Sequence, residues 1–175
     1  MGKVTLITGG ARSGKSFFAL EYAEGIGEKR IFAATAQAHD AEMVERIHKH
    51  KLERGKDWDV LEEPLEISSW LNENASKYDV VLLDCLTLWL TNVMLSETHD
   101  LEAEVESLLG SFKNAGCSIV AVSNEVGMGI VPENALAREF RDHAGRLNRL
   151  VAELASEVYL VVSGIPVKIK PSGSI

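Results

Sequence analysis

Cysteine is scarce in these 175 residues. There are two, Cys85 and Cys117, far apart and each in or beside an apolar run. Neither belongs to a C-x-x-C pair, so buried free thiols are expected. Apolar runs are plentiful, but none reaches membrane-spanning length, so no membrane span is expected. Basic residues are also in short supply, 18 Lys and Arg against 26 Asp and Glu, for a net charge of −8. That argues against a nucleic-acid partner, which would need a basic surface to release counterions. An acidic protein can still hold a locally basic phosphate site. No basic stretch or cleavage motif precedes the first apolar run, so no signal peptide is expected and the expected location is cytoplasmic. Internal repeats, linkers and low-complexity segments are lacking as well. With 46% hydrophobic and 25% charged residues, residues 1–175 are expected to form a single domain around one core.

What is present begins with Gly9, Gly10, Ala11, Arg12, Ser13, Gly14, Lys15 and Ser16. These fit the phosphate-loop pattern G-x-x-x-x-G-K-[ST] without mismatch. A strand-like run, Lys3 to Thr8, precedes them and a helix-like run from Phe17 follows. Glycines let successive backbone N–H groups converge on phosphate oxygens, and the following helix adds the positive end of its dipole. Lys15 is then expected to reach the β- and γ-phosphates, and the Ser16 hydroxyl to hold Mg²⁺. The run Asp79–Asp84 supplies the usual complement, four apolar residues ending in a carboxylate, with Asp84 as a second group on the metal.

The helix expected over 41–54, capped by Asp40, is unusual. Met43, Ile47 and His50 fall on one stripe, and Arg46, Lys49, Lys51 and Arg54 surround the histidine. His48 points to nearly the opposite side, so the pair is a poor metal site. Further along, strands are expected at Arg30–Thr35, 118–123, 157–162 and 165–170, with an extended segment at 58–64. Helices are expected at 65–75, 85–94, 101–113 and 133–156. The very apolar helix 85–94 reads as either buried or a subunit contact. The Gly-bearing loop 124–132 follows a buried strand, where open α/β sheets place ligands.

Three blocks together resemble one family. They are Gly9–Ser16; then Arg46, Ile47, His50, Arg54 and Trp58; then 124–134 with Arg138, 140–142 and 145–148, and the closing 161–168 also fits. The resemblance is to the bifunctional adenosylcobinamide kinases/adenosylcobinamide-phosphate guanylyltransferases of cobalamin biosynthesis. It implies a P-loop NTPase fold of the RecA-like kind: α/β, a mostly parallel sheet with helices on both faces and an antiparallel C-terminal edge strand. It also implies phosphorylation of adenosylcobinamide by ATP or GTP, then transfer of GMP from GTP onto adenosylcobinamide phosphate through a GMP–histidine intermediate at His50. The family's nucleotide contacts correspond to Gly9–Ser16, Ala34, Thr35, Ala36, Lys51, Leu52, Glu53, Arg54, Glu62 and Asp84, and its assembly is a homotrimer. Two other readings stand beside this one. A small-molecule kinase using only the loop and Mg²⁺ would leave His50 unexplained. A nucleotide-dependent switch or assembly ATPase would need mobile switch segments and a partner surface, which nothing in the sequence marks.

Overall fold

The computed structural model describes residues 2–37 and 57–171. Seven strands run Val4–Gly9 (β1), Arg30–Ala34 (β2), Asp59–Glu62 (β3), Val80–Asp84 (β4), Ser118–Asn124 (β5), Glu157–Val162 (β6) and Ile165–Lys170 (β7). The helices are Lys15–Glu24 (α1), Ile67–Asn74 (α2), Leu86–Leu95 (α3), Leu101–Asn114 (α4) and Ala135–Leu154 (α5). The strands form one sheet in the order β3-β2-β4-β5-β1-β6-β7. All neighbours pair in parallel except β6 and β7, which are antiparallel.

The central strands are near-continuous apolar runs because both faces of the sheet are covered. Side chains alternate between the two faces. Leu6, Ile31, Ala33, Val81, Leu83, Ile119 and Ala121 face a core built with α2–α5, where Leu71, Trp89, Leu108 and Leu147 are buried. Ile7, Phe32, Val80, Leu82, Val120 and Val122 face the opposite core, closed by Ala19, Leu20 and Ala23 of α1 and by Trp58. Helix α3 is buried rather than displayed: Leu86, Trp89, Leu90 and Val93 are almost fully covered within this chain, and the Trp89 indole donates to Leu65 O at 3.1 Å. Its apolar content is therefore a core requirement.

Helix starts follow local chemistry. Asp100 accepts from Ala103 N–H at 2.9 Å and Asn134 from Ala137 N–H at 3.1 Å, each satisfying an otherwise orphaned amide of α4 or α5. The extended segment expected at 58–64 contains β3, an edge strand paired in parallel with β2. The helix expected over 41–54, with its Asp40 cap, lies outside the described residues.

Candidate nucleotide site

Strand β1 is buried along its whole length and delivers the phosphate loop to the C-terminal edge of the sheet. The loop is fitted tightly against β6. A Cβ on Gly9 would lie 2.5 Å from Val161 O, and one on Gly14 would lie 3.2 Å from Gly164 Cα. Gly14 has φ +91° and Arg12 φ +56°, the left-handed turns that fold the loop back onto α1. Gly14 caps α1 without a side-chain acceptor, so the first amides of the helix point into the loop without a side-chain cap, the arrangement that suits an anion. The other wall of the loop is the β6–β7 turn. Ser163 (φ 51°) and Gly164 (φ 81°) form it, the backbone pattern of a tight hairpin, and Gly164 N–H donates to Ser13 O at 2.8 Å.

Lys15 is buried, an unusual setting for an ammonium, and its Nζ donates to Gly10 O at 3.0 Å. The Ser13 hydroxyl is buried without a hydrogen-bond partner among the described residues, beside Gly9 within the loop. Ser16 and Asp84 are both half-buried. Neither side chain has a hydrogen-bond or ion-pair partner among the described residues. A hydroxyl and a carboxylate on the edge that carries the phosphate loop are hard oxygen donors, so these residues fit Mg²⁺. Burial, then the neighbouring Asp84, pushes the Cys85 thiol up to about 11, against the Thr87 hydroxyl and, less, the Lys15 ammonium.

The sheet register lines up the remaining groups. Ala34 lies abreast of Glu62 on one side and Asp84 on the other. Strand β5, between β4 and β1, runs two residues past the level of Asp84 and brings Asn124 abreast of Gly9. Glu62, Ala34, Asp84, Asn124 and the phosphate loop thus share one edge. Thr35, fully buried, locks β2 to β4 there: its hydroxyl donates to Cys85 O at 2.8 Å and accepts from Cys85 N–H at 2.9 Å. The Asp84–Cys85 peptide is cis.

Asn124 and Asn148 belong to the blocks that carry the family resemblance, but nothing in the sequence assigned Asn92 a role or showed how these amides form a polar scaffold beneath this edge. Asn92 Nδ2 donates to Thr35 O at 2.8 Å and to Pro64 O at 3.0 Å, fixing the loops after β2 and β3 together. Asn148 accepts from the Ser123 hydroxyl at 2.5 Å and donates to Asn124 O at 3.0 Å. Asn124 donates in turn to the Thr87 hydroxyl at 2.8 Å. A buried Asn inside an apolar helix stripe was the available signal, since a buried amide must find partners. His50, Lys51, Leu52, Glu53 and Arg54 lie outside the described residues.

A glycine-rich loop between an inner strand of a mostly parallel sheet and a helix, with a carboxylate two strands away, defines a P-loop nucleotide-binding protein. The fold is similar to that of the RadB recombinase, with a TM-score of 0.52 and 14% identity, over 91% of this chain and 74% of that one. It is also similar to the ATP synthase subunit NeqB of Nanoarcheaum equitans, with a TM-score of 0.51 and 10% identity, over 91% of this chain and 45% of that one. The chain belongs to the cobinamide kinase / cobinamide phosphate guanyltransferase family, whose pattern matches residues 5–169. It is 41% identical to the bifunctional adenosylcobalamin biosynthesis protein CobU of Escherichia coli (strain K12), over 94% of this chain and 98% of that protein. It is 43% identical to the corresponding CobP of Pseudomonas aeruginosa, over 94% and 96%.

Proposed function

We propose that the chain runs both of its family's reactions, cobinamide kinase and cobinamide phosphate guanylyltransferase, from one triphosphate cradle. The observation that carries this reading is the placement of buried Lys15 and half-buried Ser16 and Asp84 on the sheet edge that also holds Ala34, Thr35 and Glu62. In the kinase step the aminopropanol hydroxyl oxygen of adenosylcobinamide attacks the γ-phosphorus of ATP or GTP. The bridging Pγ–O bond breaks, the nucleoside diphosphate leaves, and the hydroxyl proton passes to a base or to water. Lys15 neutralises charge on the β- and γ-phosphates, and the backbone amides of Gly9–Ser16 hold the chain in line. Ser16 and Asp84 would hold Mg²⁺, which would supply further charge neutralisation to the phosphates.

In the second reaction an imidazole nitrogen of His50 attacks the α-phosphorus of GTP and pyrophosphate leaves. A phosphate oxygen of adenosylcobinamide phosphate then attacks the same phosphorus, the P–N bond breaks, and adenosylcobinamide-GDP departs with the imidazole restored. Lys51, Leu52, Glu53 and Arg54 complete the nucleotide contacts, with Lys51 and Arg54 neutralising phosphate charge. Glu62 suits guanine, because a carboxylate accepts from the N1–H and N2–H₂ donors that adenine lacks. Ala34, Thr35 and Ala36 form the floor between Glu62 and the phosphates. The working protein is a homotrimer.

Incubation with α-labelled GTP, followed by denaturation, tests the reading. Wild-type protein should retain label that is acid-labile and alkali-stable, as a phosphoramidate is. His50→Ala should abolish the label while leaving cobinamide phosphorylation intact. Label that survives His50→Ala would overturn the assignment.

A further inference from the structure

The loop joining β5 to α5 carries a run of apolar side chains that the described residues leave in solvent. Ile130 is 97% exposed and Met128 79% exposed, and Val126, Val131 and Leu136 are exposed beside them. Transferring such a patch out of water is favourable, and a contiguous one marks a binding surface. The loop is anchored at both ends. Glu125 N–H donates to Gly9 O at 2.9 Å, which ties its start to the phosphate loop itself. The Glu125 carboxylate accepts from Gly127 N–H at 2.7 Å. At the far end the Arg138 guanidinium donates to Pro132 O at 3.0 Å and Glu133 O at 2.6 Å. Between these anchors the peptide groups of Met128, Gly129, Ile130 and Val131 make no hydrogen bond to other described residues. The segment therefore displays apolar side chains and open peptide donors and acceptors together.

We propose that residues 126–131, with Leu136, form the platform that binds the corrinoid macrocycle of the acceptor. This rests on the kinase and guanylyltransferase reading above. Both reactions need an acceptor arm whose terminal oxygen reaches the nucleotide phosphates, so the acceptor body must lie against the edge that holds Gly9 and Lys15. The β6–β7 turn already closes one flank of the cradle through Gly164 N–H to Ser13 O. Strand β5 borders the other flank, and the loop that leaves it is the apolar surface there. A corrin has broad apolar faces and a rim of carboxamide arms. The faces match Met128 and Ile130, and the arms match the open peptide groups of the same residues. A second copy of the chain would satisfy the side chains but has no need of the tether to Gly9.

The test is a steady-state comparison of wild type with the double variant Met128→Ser/Ile130→Ser, both positions being solvent-exposed and outside every helix and strand. The KM for cobinamide in the kinase assay and for cobinamide phosphate in the transfer assay should each rise by about tenfold or more. The KM for GTP, the α-label on the protein and the mass by light scattering should stay unchanged. An unchanged corrinoid KM, with kinase activity present, would overturn the platform and leave the two activities standing. A raised KM accompanied by a fall in mass would also overturn it, because the loop would then be an interface between copies. A wild-type protein inactive on cobinamide would overturn the underlying reading as well.

Discussion

Lys15 and Glu157 show two ways in which a single charged side chain is made useful. Lys15 is buried at the start of α1 with Gly10 O as an acceptor, so its ammonium is desolvated and positioned before any phosphate arrives. Glu157 instead anchors the far flank of β1. Its Oε2 accepts from Tyr159 at 2.7 Å and Tyr22 at 3.1 Å, and pairs with Lys168 at 3.0 Å. The hydrogen bond from Tyr159, then that from Lys168, hold the carboxyl below the usual carboxylate range. Its stabilising contribution is therefore complete above the unfolded-state pKa and is lost as pH falls through the lower folded-state value. Glu157→Gln should lower the urea midpoint at pH 7, and the gap from wild type should narrow as pH falls through the acid range. A gap that is constant with pH would show that the charge does not matter.

At the level of elements, the decisive contact is between the phosphate loop and the β6–β7 turn. Gly14 combines φ +91° with a Cβ position 3.2 Å from Gly164 Cα. Gly14→Ala should cost about 1–2 kcal/mol from the left-handed backbone alone, read in urea unfolding, and should also weaken GTP binding because the loop must shift. Unchanged stability and affinity would show that the turn does not buttress the loop. The motif itself was legible in the sequence because it is local: eight consecutive residues with a strand before and a helix after. So were the central strands, whose apolar runs tolerate few other readings. What sequence hid was non-local. Asp59–Glu62 reads as an extended segment in the sequence, but its place at the sheet edge, with Val60 exposed, appears only through its pairing with β2. The partners of Asn92, 57 and 28 positions away, and of Asn148, 24 and 25 positions away, cannot be read from either helix alone. The Glu62–Ala34–Asp84 row likewise exists only through register.

On the scale of the whole molecule, the sheet ends in an antiparallel strand whose Ile165, Val167 and Ile169 are exposed. An apolar edge of this kind invites pairing between chains, and the proposed homotrimer gives it a use. Light scattering should return three times the mass of one chain, and Val167→Lys should reduce it; a wild-type mass of one chain would refute the trimer. The strand order carries a different consequence. Strand β1 holds the first residues of the phosphate loop, yet its two sheet neighbours are β5 and β6, more than a hundred residues later. The loop's buttress, Gly164, likewise comes late in the chain, long after the Ser13 it holds. During synthesis, the residues that cradle phosphate are thus made well before the strands and turn that support them. A nascent chain stalled before β6 lacks the wall against which Gly9 and Gly14 are fitted, so nucleotide binding reports that the β6–β7 hairpin has docked.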